Sequence, residues 1–201
     1  MRAGIFAVGI AACLIFAGCG EDKENSVGPQ TAREYIDQGW SSFKTADYLA
    51  ALGSFEAALD RDGSASDAWN GAGWSAGRLS GRLTQAGDNF SRCLALDTTR
   101  YDALGGWAFT SYQSGDWDGA LSKADALLAR RSGWRFLHEP TLDFYDLRLL
   151  MAKCYFNKAD YSASYQVIVA YLNPAFEADV SSDRGRAGLS REIERLGQLY
   201  G

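Results

Sequence analysis

The sequence predicts an all-α domain behind an apolar leader. Of its 201 residues, 47% are hydrophobic and 22% are charged, which is enough apolar material for the core of one domain. Ala, Leu, Arg, Glu and Asp recur at helical spacing, only three prolines occur, and alternating β-branched runs are nearly absent. The formal charge of −5 is spread over mixed acidic and basic residues. The sequence has no basic stripe of the kind that binds the phosphate backbone of a nucleic acid, so a nucleic-acid partner is not expected.

The N-terminal segment, residues 1–18, is predicted to be an export signal. After Arg2, an uncharged and mostly apolar run extends to Gly18, and it is too short for a transmembrane helix. The run ends in Phe16-Ala17-Gly18-Cys19, which resembles the lipobox of bacterial lipoproteins. The resemblance implies that Cys19 is acylated and becomes the new N-terminus. The alternative is an ordinary signal peptide or an uncleaved anchor, and both place the remaining chain outside the cytoplasm.

Residues 19–31 are predicted to be a flexible tether. They are polar, contain Gly and Pro, and show no apolar period. Gly20 follows Cys19 where some inner-membrane lipoproteins have Asp, so the resemblance implies the outer membrane. The acidic cluster at 21–24 is also similar to the surface-export signal of some lipoproteins. The expected location is therefore periplasmic or on the cell surface, anchored to the outer membrane.

An internal repeat organises residues 32–174. The step from Gly39 to Gly73 is about 34 residues, a length typical of helical repeats. The step from Trp117 to Tyr161 is longer and leaves an insertion of about ten residues around 131–142. Recurring aromatic, small and apolar residues define four copies: Tyr35, Gly39, Tyr48, Ala51, Phe55, Ala58 and Leu59; Trp69, Gly73, Leu83, Ala86, Phe90, Cys93 and Leu94; Leu104, Ala108, Trp117, Ala120, Ala124, Leu127 and Leu128; and Ala152, Tyr161, Ser164, Ile168, Tyr171 and Leu172.

This pattern resembles the tetratricopeptide repeat, in both its length and its signature positions. The resemblance implies a right-handed α-solenoid of about four helix pairs, at residues 32–65, 66–100, 101–134 and 143–174. Residues 175–201 are then a linker and a capping helix. From Ala187 to Tyr200, we expect an apolar stripe of Leu189, Ile193, Leu196 and Tyr200 to face the repeats, and Arg191, Glu192, Glu194 and Arg195 to face away.

Two cysteines belong to the predicted repeats, Cys93 in the second and Cys154 in the fourth. Repeats of a solenoid touch only their own neighbours. We therefore expect two buried thiols and no disulfide.

The resemblance also implies a concave groove lined by the first helix of each pair. Its positions select nine candidate contact residues: Arg33, Trp40, Phe43, Trp74, Arg78, Phe109, Tyr112, Lys153 and Phe156. Flat aromatic rings on such a surface stack on sugar faces or enclose apolar peptide side chains. The alternatives are that these rings are core, or that they serve self-association of the solenoids into filaments.

The insertion carries three further candidate contacts, Trp134, Phe136 and His138. Large apolar residues in a loop either fold back over the solenoid as a lid or present a tip to a partner. Both alternatives are consistent with the sequence.

Catalytic motifs are absent from the sequence. His138 is its one histidine, and neither a CxxC, an HExxH nor a glycine-rich phosphate loop is present. Asp143 and Asp146 stand at a predicted helix start, where acidic residues serve as caps. We expect no enzyme activity, no metal and no cofactor.

The sequence thus predicts a non-catalytic scaffold of the cell envelope or cell surface. A protein or an extended polymer, either peptide or glycan, would occupy the groove, and the lipid on Cys19 would hold the protein at the membrane. The alternative is a self-assembling structural subunit of an extracellular filament or coat around a glycan polymer.

Overall fold

The computed structural model describes residues 30–200. These residues form nine α-helices: α1 (Ala32–Lys44), α2 (Tyr48–Arg61), α3 (Ser66–Gly77), α4 (Leu83–Leu96), α5 (Tyr101–Gln113), α6 (Trp117–Arg130), α7 (Phe144–Asn157), α8 (Tyr161–Val167) and α9 (Asp183–Tyr200). A π-helical turn, Ile168–Leu172, continues α8. The predicted signal peptide, Cys19 and all but the last two residues of the predicted tether lie outside the described residues.

The helices pack as consecutive pairs, and each pair packs on the next. The first helices of the pairs, α1, α3, α5 and α7, also contact one another in series, and we call the surface that they form the inner face. Helix α9 packs on α7 and α8 and covers the last pair. The predicted fold class, an all-α solenoid of four helix pairs with a C-terminal capping helix, is confirmed. No helix within residues 30–200 is long and apolar enough to cross a membrane.

Aspartate caps start the second helix in three of the four pairs. The side chains of Asp47, Asp116 and Asp160 each accept a hydrogen bond from a backbone N–H three residues on, at 2.9–3.1 Å. Each cap stands directly before the large aromatic residue of the repeat, so the cap fixes where that residue enters the turn. In the second pair Arg82 takes this position, and its side chain makes no cap within the described chain.

Glycines let the phenylalanines of the second helices lie between two first helices. A Cβ atom at Gly39 would lie 2.7 Å from the Phe55 ring, and one at Gly71 would lie 2.2 Å from the same ring. Phe90 is enclosed in the same way by Gly73 and Gly106. Both rings are fully buried. The helix spacing of the first three pairs therefore depends on the absence of side chains at these positions.

The capping helix begins four residues before the predicted start. Leu189, Ile193 and Leu196 are buried, as predicted. Glu192, which we expected to face away, is also buried. Its carboxylate accepts a 2.8 Å hydrogen bond from the Asn173 side chain and pairs with Arg195. The helical pattern did not reveal this partner, because Asn173 lies outside α9, directly after the π-helical turn that ends the fourth pair.

Both repeat cysteines are buried, as predicted. Desolvation raises the pKa of the Cys93 and Cys154 thiols to about 12. Such thiols are poor nucleophiles at neutral pH and act as small apolar side chains.

Candidate functional site

The segment between α6 and α7, residues 131–143, lies across the inner face, and we call it the insertion. Its two ends meet through a backbone hydrogen bond from the Phe136 N–H to the Leu142 carbonyl, 2.9 Å long, and through an antiparallel bridge between Arg135 and Asp143. An ion pair of 3.5 Å joins the side chains of the latter two residues. The insertion is thus a closed loop whose base is held next to the start of α7.

Phe136 is the centre of the contact between the insertion and the inner face. Its ring is fully buried and stacks on Trp74, with centroids 4.1 Å apart and planes inclined by 16°. Trp40 and Phe43 meet the same ring edge-on, at 6.1 and 5.9 Å. The first two helix pairs therefore form an aromatic pocket that the chain itself fills.

His138 covers one face of the Trp40 ring. Its imidazole lies parallel to the Trp40 indole, with centroids 3.5 Å apart and an angle of 2° between the planes. Burial lowers the pKa of His138 to about 4, although the charge of Asp67 acts in the opposite direction. The imidazole is therefore neutral at physiological pH and stacks as a flat, uncharged ring.

Trp134 joins the insertion to α5. It is 5% exposed, and its indole N–H donates a 2.7 Å hydrogen bond to Asp102. A Cβ atom at Gly105 would lie 2.7 Å from the Trp134 ring, so only glycine admits the ring at this point of α5. Burial raises the pKa of Asp102, and the Trp134 hydrogen bond partly offsets this rise. Near the tip of the insertion, Glu139 forms an ion pair with Arg78 of the second pair.

The nine predicted groove residues fall into three groups. Trp40, Phe43 and Trp74 are buried, and all three contact the insertion. The polar candidates Arg33 and Arg78 are exposed and ion-paired, to Asp37 and Glu139 respectively, and Lys153 is half-buried. The remaining candidates, on α5 and α7, are half-buried and pack against the core without a ring contact to the insertion: Phe109, Tyr112 and Phe156.

The three predicted contact residues of the insertion also differ in burial. Trp134 and Phe136 are buried against the inner face, and His138 is half-buried on Trp40. Leu137, between them, is 73% exposed. The insertion therefore lies on the solenoid as a lid and keeps one apolar side chain in solvent.

Several buried polar atoms of α1, α3 and the insertion lack a hydrogen-bond partner among residues 30–200. Two of them are the indole nitrogens of Trp40 and Trp74, and the others are Asn70 Oδ1, Ser75 Oγ and His138 Nδ1. A buried polar atom left unpaired costs about 1–3 kcal/mol. The lid therefore rests on a surface whose polar groups are not fully satisfied.

Two cavities lie on opposite sides of the insertion. The first, about 170 Å³, is mainly apolar and is lined by Trp74, Phe90, Phe109 and Leu142, with Arg78 and Gln113 at its polar edge. The second, about 380 Å³, lies on the α1 side and is lined by Trp40, Asn70, Leu137 and His138 together with charged side chains.

Sequence reasoning missed Asn70, Asp67, Asp102 and Arg100, which all line the second cavity. A signal for Asn70 was present. The equivalent positions of the first and third repeats are Ile36 and Gly105, so an amide at a position that is apolar or small elsewhere marks a departure from the repeat. The role of Asp102 depends on the insertion and has no such signal.

Within residues 30–200, no group of three or more His, Cys, Asp or Glu side chains is placed to hold a metal ion. The arrangement as a whole presents aromatic faces, ion pairs and neutral polar groups. It is suited to holding a ligand by stacking and hydrogen bonding.

Comparison with known proteins identifies relatives by structure alone. No family model matches the chain, and no curated protein sequence matches it. A tetratricopeptide repeat protein from Parabacteroides merdae ATCC 43184 is 17% identical, with a TM-score of 0.58 over 84% of this chain and 65% of its own. The chain thus spans just under two thirds of the length of that protein.

Solved structures of MamA match more of their own length. One is 14% identical, with a TM-score of 0.60 over 84% of this chain and 89% of its own. MamA from MSR-1 is 15% identical, with a TM-score of 0.60 over 85% of this chain and 98% of its own. At such identities the likeness concerns the fold, and the fold of this chain is that of a tetratricopeptide-like helical solenoid.

Proposed function

We propose that the protein is a non-catalytic scaffold that binds an extended segment of a partner protein on its inner face. The observation that carries this proposal is the insertion, because the inner face already holds a segment of that kind. Trp40 and Trp74 offer flat faces to rings of the insertion, at 3.5 and 4.1 Å. A surface that binds an aromatic segment within the chain has the chemistry to bind one from a partner.

The open part of the inner face is the proposed contact surface for that partner. Phe109, Tyr112 and Phe156 are half-buried on α5 and α7, and Phe109 lines the apolar cavity of about 170 Å³. The cavity has room for an apolar side chain of the partner, and the polar edge at Arg78 and Gln113 would bind its backbone.

The proposal places this scaffold at the outer membrane. The lipobox-like Phe16-Ala17-Gly18-Cys19 supports acylation of Cys19, and Gly20 in place of Asp supports outer-membrane sorting. Helix α1 begins at Ala32, so the proposed lipid is separated from the domain by residues 20–31. A tether of this length would let the inner face reach a partner near the membrane surface that carries the lipid.

Site-specific photo-crosslinking in cells tests the binding surface. p-Benzoylphenylalanine is placed at Phe109 or Phe156, and a control variant carries it at Leu49, which lies on α2 and is 63% exposed. We expect the two inner positions to capture the same protein and position 49 not to capture it. The purified partner should then bind wild type at least tenfold more tightly than Phe109→Ala. Equal binding to both would contradict the proposal.

Metabolic labelling tests the anchor. Cells that express the full chain receive an alkyne fatty acid, and membranes are separated by density. We expect label on wild type in the outer-membrane fraction, and neither label nor outer-membrane association for Cys19→Ser, whose uncleaved leader can still hold the chain at the inner membrane. A matched Cys13→Ser variant, with its change inside the predicted leader, should keep both. Unlabelled wild type would refute acylation and leave the binding-surface test unaffected.

A further inference from the structure

The cavity on the α1 side of the insertion differs in chemistry from the rest of the inner face. Trp40, Asn70 and His138 line it, and each has a polar atom that is buried and lacks a hydrogen-bond partner among residues 30–200. Trp40 and Asn70 are only 5% and 2% exposed. Buried polar atoms are nearly always paired in folded proteins, so a cluster of unpaired ones beside a cavity points to a bound molecule.

The three unpaired atoms need both a hydrogen-bond donor and a hydrogen-bond acceptor as partners. The indole N–H of Trp40 only donates, and the amide oxygen of Asn70 only accepts. The free ring nitrogen of His138 does one or the other according to its tautomer. A ligand that satisfies all three must offer donors and acceptors side by side, and a hydroxyl group offers both on one atom.

The charged side chains around the cavity balance one another. Arg33 pairs with Asp37 at 3.2 Å, and Arg100 pairs with Asp67 at 3.1 Å. Two further charges, of Lys44 and Asp102, are opposite in sign. A lining with no net charge gives an ion no advantage and favours a neutral polar molecule.

The insertion limits the shape of the ligand. His138 and Leu137 line the cavity on the side of the insertion. The buried Phe136 ring next to them contacts Trp40, which lines this cavity, and Trp74, which lines the apolar one, so it stands between the two. An extended polypeptide therefore cannot run through both cavities. The volume of about 380 Å³ lies in the range of small-molecule pockets, ~300–1,000 Å³, so it accepts a ring or a chain end.

We propose that this cavity binds a sugar ring of a neutral carbohydrate. The unpaired atoms of Trp40, Asn70 and His138 have almost no accessible surface in this structure, so the His138 ring would shift away from Trp40 for the sugar hydroxyls to pair with them. The Asp37 and Arg33 side chains would contact hydroxyls at the rim. The exposed apolar side chain of Leu137 would pack on the C–H face of a neighbouring sugar unit. This site lies apart from the proposed protein-binding surface and does not depend on it.

Calorimetric titration and saturation-transfer NMR of the full-length chain in detergent test the proposal. The probes are four neutral oligosaccharides, maltohexaose, cellohexaose, chitohexaose and mannohexaose, and one charged probe, a hexamer of galacturonic acid. We expect saturable binding of at least one neutral probe, weaker binding of the charged one, and a change in tryptophan fluorescence because Trp40 lines the cavity.

Variants assign the binding to the cavity. Asn70→Ala should weaken binding of the neutral probe at least tenfold. Because Asn70 is buried and its loss endangers folding, Asp37→Ala, whose side chain is 60% exposed, is the second variant, with an expected loss of threefold or more. Asp88→Ala, exposed on α4, is the matched control and should bind as wild type does.

Three results would overturn the proposal. The first is the absence of saturable binding for all four neutral probes. The second is unchanged affinity in folded Asn70→Ala and Asp37→Ala. The third is tighter binding of the galacturonate hexamer than of any neutral probe, which would assign an anion site instead. None of these results bears on the crosslinking from Phe109.

Discussion

At the scale of single residues, two alanines carry backbone strain. Ala46 and Ala159 precede the aspartate caps of α2 and α8 and have φ angles of 61° and 60°, in the left-handed region. Gly115 occupies the same place before α6, with φ of 82°. The left-handed region costs an L-residue ~1–2 kcal/mol, and glycine adopts it freely.

We therefore expect Ala46→Gly and Ala159→Gly each to stabilise the protein by about 0.5–1 kcal/mol, after the entropy that glycine adds to the unfolded chain is subtracted. Urea unfolding measures the change. Ala57→Gly, inside α2, is the control and should destabilise by about 1 kcal/mol. Destabilisation by all three substitutions would show that the turns are not strained.

The buried imidazole of His138 makes stability depend on pH. Its pKa falls from 6.5 to about 4 on folding, so the unfolded chain binds more protons between these values. Its contribution is therefore complete above pH 6.5 and is lost as the pH falls toward 4. Asp102 and Asp146, whose pKa values burial raises, act in the opposite direction.

We expect wild type to lose about 1–2 kcal/mol more than His138→Gln between pH 7 and pH 4.5, less than the full linkage value because the ring is partly solvated. Urea unfolding of both proteins at the two pH values measures the difference. Because both proteins have the same carboxylates, the contribution of these groups to the pH dependence of stability cancels in the comparison. Parallel losses would contradict a neutral, stacked His138.

At the scale of secondary structure, glycine sets the spacing between helices. A methyl group at Gly71 would lie 2.2 Å from the Phe55 ring. A methyl group at Gly53, on α2, would have no atom of the described residues outside its own helix turn within 4 Å. We expect Gly71→Ala to lower the free energy of unfolding by ~1–3 kcal/mol through overpacking. Gly53→Ala should raise it by about 0.5–1 kcal/mol, because alanine favours a helix. Chemical denaturation of both variants measures these effects.

The insertion behaves as part of the core and not as a free loop. Phe136→Ala removes a fully buried ring, so we expect a loss of ~3–5 kcal/mol and a red shift of tryptophan emission as water reaches Trp40 and Trp74. Leu137→Ala changes the 73%-exposed neighbour and should alter neither property. Fluorescence-detected denaturation separates the two. Equal effects at both positions would mean that the lid is open in solution.

At the scale of the whole molecule, α9 protects the last repeat from solvent and from other molecules. Leu196 of this helix is fully buried, whereas Leu199, near its end, is 62% exposed. An uncovered repeat face tends to stack on another copy. We expect Leu196→Asp to loosen α9 and cause concentration-dependent association in light scattering. Leu199→Asp should scatter as wild type does. Association of wild type itself into filaments would favour the structural-subunit alternative.

The sequence by itself determined the repeat architecture of this protein. The spacing of Gly39, Gly73 and Ala108 and the large residues at the turns define the repeat. Its resemblance to the tetratricopeptide repeat predicted about four helix pairs, because each pair must bury the same face against the next. The apolar stripe of Leu189, Ile193 and Leu196 also predicted the capping helix. These signals are local or periodic, and a single chain displays them directly.

Only the tertiary structure decided the state of the inner face. Groove positions in the sequence do not tell whether Trp40 and Trp74 face solvent, and the path of the insertion brings Phe136 and His138 onto them from a distant part of the chain. The same path gives Asp102 its tryptophan partner and separates two cavities. Contacts of this kind have no period along the chain, because they depend on where a loop closes in space.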